Sequence, residues 1–177
     1  TNQPTIPNVT ITARPLSFDG GQMTAQGKVY DSTPAVDVTD LGSLNVSNYA
    51  TGESLNFSSA TGTAQNEHVV GGPWPVSVTN ISFTDKDVAV TIFYASNYSW
   101  PTTASANSVS ITARDLTISN VVAINRVYNT GETVSLDIGN ETTDAIDGDD
   151  LFVNGNLALA LLPDKDAGDG RSAVVTG

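Results

Sequence analysis

The chain has 177 residues, with 7 Lys and Arg against 19 Asp and Glu for a formal net charge of −12, one His, one Met and no Cys. These counts exclude disulfide frameworks, thiolate metal sites and cysteine nucleophiles. The acidity has the wrong sign for phosphate backbones and anionic bilayers, so neither nucleic acid nor direct membrane insertion is expected.

No apolar run approaches the roughly 20 residues of a spanning helix. The opening Thr1-Asn2-Gln3-Pro4 has neither a basic nor an apolar leader region, and the thiol-free composition suits an exported protein. In chain order, apolar residues alternate at Val9, Ile11 and Ala13, at Leu16 and Phe18, at Val36 and Val38, at Leu44 and Val46, and at Leu55 and Phe57. Alternation continues at Val76 and Val78, at Val88, Val90, Ile92 and Tyr94, at Val109, Ile111 and Ala113, and at Val134, Leu136 and Ile138. Period-2 runs of this kind predict half-buried strands. Turn formers such as Asp19-Gly20-Gly21, Gly71-Gly72-Pro73, Asn129-Thr130-Gly131 and Asp169-Gly170 separate them. Residues 156–162, NLALALL, are read as a further strand because Leu157, Leu159 and Leu161 alternate. Short strands at such spacing predict an all-β fold: an immunoglobulin-like β-sandwich, or a helix-poor β-grasp arrangement as the alternative.

The chain also repeats itself. VTITARPLSF at 9–18 returns as VSITARDLTI at 109–118, 100 places on, and KVYDSTPAV at 28–36 returns as RVYNTGETV at 126–134, 98 places on. GESLNF at 52–57 aligns with GDDLFV at 148–153, and the segments at 68–79 and 166–176 align as well. Four matches in the same order define a tandem repeat of ~100 residues, a common domain size. Residues 1–14 read as the terminal strand of a preceding repeat, 15–114 as a complete repeat, and 115–177 as a partial second one. The layout fits either a segment of a longer array or a short subunit whose strand 7–14 completes a neighbour's second domain.

The order ITARPL, KVYDST, GESLNF or GDDLFV, DKDAGDGRSAVVTG, SNYSWPTT and a closing ITAR resembles the YDG-type repeat domain of large bacterial secreted surface proteins. YDS at 30–32 and YNT at 128–130 stand at the signature tripeptide, while QNEHVVGGPWP departs from the LPDKDAGDG of the second copy. The resemblance implies a stalk or scaffold module of adhesins and haemagglutinin-like exoproteins, with neither a catalytic residue nor a dedicated ligand pocket.

Asp164, Asp166 and Asp169 in DKDAGDG are candidate Ca²⁺ ligands, with Asp147, Asp149 and Asp150 as a further oxygen source. The alternative is a solvated acidic turn, which the first copy's non-equivalent Asn66-Glu67-His68 segment favours. Otherwise no cofactor is expected. His68 is the one residue on which a Ser-His-Asp triad could be built, and it has no nucleophile elbow beside it; carboxylate pairs for glycoside hydrolysis also have a bland reading as turn acids, so no enzyme activity is expected. Trp74 and Trp100, with Tyr94 and Tyr98, would suit sugar stacking if exposed, and core plugging if not. Arg14 and Arg114 recur, as do Lys28 and Arg126, and are read as structural cations pairing with carboxylates or carbonyls at the domain junctions. The Lys-to-Arg change argues against an intramolecular Lys–Asn cross-link. Sequons occur at Asn8, Asn45, Asn56, Asn80, Asn97 and Asn140.

The expected function is therefore structural, in a secreted cell-surface protein: an adhesin stalk or scaffold, or a filament subunit using N-terminal strand addition, or a carbohydrate-binding module. The expected partners are neighbouring repeats or identical subunits, together with surface glycans or host and biofilm receptors.

Overall fold

A computed structural model describes residues 9–149, 151 and 159–176. The chain falls into two compact units, divided between Arg114 and Asp115. Both are built from strands, so the fold class is all-β. Among the described residues the one helical element is a 3₁₀ turn at Ala95–Asn97, and no helix is long and apolar enough to cross a membrane.

The first unit runs through β1 (Arg14–Pro15), β2 (Ser17–Phe18), β3 (Thr24–Ala25), β4 (Lys28–Val29), β5 (Ala35–Val36), β6 (Val38–Asp40) and β7 (Val46–Ser47). Then come β8 (Asn56–Ala64), β9 (Trp74–Thr84), β10 (Lys86–Val88), β11 (Thr91–Phe93), β12 (Tyr98–Ser99), β13 (Ala104–Val109) and β14 (Ile111–Thr112). The long strands β8 and β9 centre an antiparallel sheet of order β13-β9-β8-β5. Period 2 decides its faces: Val76 and Val78 are buried while Ser77 and Thr79 are exposed. Shorter pairs β2·β7 and β3·β6 are antiparallel, and β1·β12 and β14·β4 are parallel.

Strand β13 bonds on both edges. On one side Ala104, Ala106 and Val109 face Val78, Val76 and Trp74 of β9. On the other, Met23 N–H donates to Ser105 O at 3.0 Å and Asn107 N–H to Met23 O at 3.0 Å. The Asn107 amide then clasps β3, accepting from Ala25 N–H at 2.7 Å and donating to Ala25 O at 3.1 Å. The register shift between Ala106 and Val109 is the bulge that lets one strand serve two partners.

Leu16, Met23, Leu44, Leu55, Ile81, Phe83 and Tyr98 join the sheet's inward residues in one core. Phe83 lies 5.2 Å from Trp100 and 6.3 Å from Phe57, edge to face, and 6.5 Å from Phe18 at a tilt, within the distances at which aromatic pairs attract.

Two strand expectations change. The expected strand at 88–94 is broken by the turn of a hairpin that pairs β10 with β11, because the chain reverses at Ala89, whose φ is 51°; Ala-Val at a turn carries no Gly, Asn or Pro signal. Residues 9–13 pair with no described strand.

The second unit contains β15 (Ile118–Ser119), β16 (Val122–Ala123), β17 (Thr133–Val134), β18 (Leu136–Asp137), β19 (Thr142–Thr143), β20 (Leu159–Leu161) and β21 (Val174–Thr176). Strand β20 falls within NLALALL, whose residues 156–158 lie outside the described set. Several pairs repeat those of the first unit in register. Thr133↔Leu161 and Val134↔Ala160 match Ala35↔Thr63 and Val36↔Gly62, each 98 places on (133 − 35, 161 − 63). Ala123↔Leu136 matches Ala25↔Val38 at the same offset, 123 − 25 = 98. Connecting bonds follow: Ile124 N–H to Ser135 O at 2.8 Å repeats Gln26 N–H to Asp37 O at 3.0 Å. Among the described residues, however, nothing in the second unit stands where β13 and β14 stand in the first. Leu16 is 4% exposed, whereas its counterpart Leu116 is 47% exposed.

Replacing Phe83 with Ala removes the hub of the aromatic cluster and should cost about 3–5 kcal/mol. Urea unfolding followed by tryptophan fluorescence reads this in the first unit, which holds both Trp74 and Trp100. An unchanged midpoint would contradict the assignment.

Candidate functional site

The most fully constructed polar feature occurs twice. In the first unit Lys28 Nζ donates to Asp31 Oδ1 at 2.5 Å, to Thr33 O at 2.6 Å and to Thr33 Oγ1 at 2.8 Å, while Thr33 N–H donates to Asp31 Oδ1 at 3.0 Å. In the second, Arg126 Nη1 donates to Asn129 Oδ1 at 2.5 Å, its Nη2 donates to Gly131 O, and Gly131 N–H donates to Asn129 Oδ1 at 3.1 Å. A cation, an Asx side chain three places on and a backbone amide two further therefore close the same loop in both units. Between them, Ser32 and Thr130 have φ of 61° and 66°. That is left-handed backbone, where an L side chain is disfavoured and Gly is at ease. It is also the third place of the recurring tripeptides YDS and YNT. The hydrogen bond from Lys28 holds the Asp31 carboxyl below its ordinary range, with Thr33 adding to the effect and partial desolvation opposing it. These cations close loops within their own units; the sequence alone had placed them at domain junctions.

The candidate calcium residues are placed differently from a cage. Arg171 Nη1 donates to Asp164 Oδ2 at 2.5 Å and Asp166 N–H donates to Asp164 Oδ1 at 2.9 Å, and the Arg171 bond is what chiefly lowers the Asp164 pKa. Asp166 and Asp169 are exposed. Asp147 is exposed, Asp149 half-buried, and Asp150 lies outside the described residues. Among the described residues no three His, Asp or Glu side chains come together as metal ligands.

The four aromatics are not presented as one platform. Trp100 Nε1 donates to Ile81 O at 2.8 Å and its ring packs on the core; Tyr98 is buried, donating to Glu53 Oε2 at 2.6 Å; Trp74 is half-buried; Tyr94 is exposed. His68 is an exposed turn residue whose carbonyl accepts from Trp74 Nε1 at 2.7 Å. Arg14 Nε donates to Asn48 O at 2.7 Å and its Nη2 to Asn48 Oδ1 at 3.0 Å, fixing a residue with φ of 69°. Asn45, Asn56, Asn80, Asn97 and Asn140 are exposed, and Asn8 lies outside the described residues.

A cleft of about 590 Å³ opens in the second unit, walled by Ala123, Ile124, Arg126 and Tyr128 on one side and by Leu162 and residues 165–171 on the other. Sequence reasoning did not find it, because its walls come from segments about 40 residues apart that share no motif. No family model matches the chain, and comparison with curated proteins and with solved structures returns no match.

Two outcomes test the loop. Ser32→Gly should stabilise the first unit by about 0.5–1 kcal/mol, the relief of left-handed strain exceeding the added chain entropy; a lower melting temperature would contradict this. Because the Asp31 pKa is depressed in the folded state, its contribution is present above the unfolded value near 4 and is lost as pH falls through the lower folded value. Asp31→Asn, which copies Asn129, should therefore flatten the acid limb of the stability curve below about pH 4 while preserving the fold. An acid limb of unchanged slope would show that Asp31 is not linked to stability.

Proposed function

We propose that the chain is a structural repeat module of an extracellular bacterial surface protein, of the YDG type, acting as stalk or scaffold. The observation that carries the reading is the strand register of one unit recurring in the next at an offset of 98, together with the cation–Asx loop at the tripeptide that carries the resemblance. Polar chemistry supports it further. Lys28, Arg126, Arg14 and Arg171 each donate to a neighbouring loop, which suits a scaffold. The layers suit an immunoglobulin-like sandwich, with the four-stranded sheet facing Leu16, Met23, Ala25 and Leu44 across the core. A net charge of −12 keeps a concentrated array soluble and its copies mutually repelling.

Antibodies raised against the folded chain should label intact producing cells and detect a surface polypeptide whose intact mass accommodates further copies of the ~100-residue unit. Labelling restricted to permeabilised cells would overturn this assignment.

A further inference from the structure

We infer that the first unit is a tension-bearing module, locked against stretching by a parallel seam between its opening and closing segments. The seam is joined at three places, in the same order along both segments. Arg14–Pro15 pairs in parallel with Tyr98–Ser99, Met23 with Ala106, and Lys28–Val29 with Ile111–Thr112. Backbone bonds close each of them. Leu16 N–H donates to Ser99 O at 2.7 Å, Met23 N–H to Ser105 O and Asn107 N–H to Met23 O at 3.0 Å each, Lys28 N–H to Ser110 O at 3.2 Å and Tyr30 N–H to Thr112 O at 2.9 Å.

Side chains reinforce the same contact. The Asn107 amide holds both the N–H and the carbonyl of Ala25, and Thr112 Oγ1 donates to Lys28 O at 3.3 Å. Gly27 permits the close approach, since a Cβ there would meet Ser110 O at 2.5 Å.

Chain polarity decides how such a seam takes load. Tension along a stalk pulls the opening segment toward its N-terminus and the closing segment toward its C-terminus. Because the two run parallel, those pulls oppose each other along one axis, and the bonds between them are sheared together. An antiparallel pair loaded from its two chain ends is pulled apart at one end, and its bonds fail in succession. Strands β8 and β9 are such a pair, with Asn56 opposite Thr84 at that end. Residues 31–97 lie between the two seam segments in the chain, so tension bypasses them until the seam slips. Forced unfolding is governed by the unfolding barrier, and a barrier that requires several bonds to fail at once is higher than one crossed bond by bond.

The biological use of this resistance rests on the stalk reading, but the resistance itself belongs to the unit. A weak seam would leave the surface location untouched, and an intracellular location would leave the seam intact.

The test is single-molecule force spectroscopy on the full chain, which has no Cys of its own, so that paired Cys substitutions set the direction of pull. Thr12→Cys with Asp115→Cys loads the seam, and Thr51→Cys with Thr84→Cys loads β8 and β9 from their common end; all four positions are exposed. The rupture force along the seam should exceed that across β8·β9 by at least about twofold at equal pulling speed. Asn107→Ala, which removes the clasp on Ala25, should reduce that ratio. Equal forces in the two directions, or a ratio unaltered by Asn107→Ala, overturns the inference.

Discussion

An antiparallel sheet with one apolar face must cover that face and pair its edges, and in the first unit a single strand meets both demands. Strand β13 bonds to β9 along one edge and to Met23–Ala25 along the other, and the Asn107 amide closes the second contact. Its continuation, β14, runs beside Lys28–Val29 and buries Ile111. Backbone polar groups inside a protein require partners, so a strand hydrogen-bonded on both sides couples the layers more firmly than side-chain packing alone. The core around Phe83, Trp100 and Tyr98 forms behind it.

The second unit shows much of the same ladder. β17·β20 keeps the first unit's register, β16·β18 keeps it at Ala123↔Leu136, and the Arg126 loop keeps its clamp. What differs is burial: Leu116 and Ile118 are about half exposed, at 47% and 50%, where Leu16 is buried and Phe18 half-buried. Among the described residues the second unit therefore leaves more of its apolar side chains exposed than the first.

Much of this was legible in the sequence, and the exceptions have physical causes. Alternation identified the strand class because a half-buried sheet imposes period 2, and Val76/Val78 fell on the inner face as that period requires. The repeat was legible because matched segments keep their order. The hairpin at Ala89 was hidden, since its turn residues carry no turn signature. The pairing of Lys28 with Asp31, and of Arg126 with Asn129, was visible only as recurrence; compensating changes at both positions between the copies were the available clue. Asp164, read as either a calcium ligand or part of a solvated turn, accepts from Arg171 seven places on. Sequence spacing cannot show which charge arrives.

Amide hydrogen exchange tests the central claim most directly, that the second unit repeats the strand ladder of the first. Equivalent amides can be compared directly. Those of Gln26 and Ile124, bonded to Asp37 and Ser135, should be protected alike, while the amide of Val127, which bonds to no described strand, should exchange fast. Fast exchange at Ile124 beside slow exchange at Gln26 would mean that the second ladder does not form, and would contradict the account.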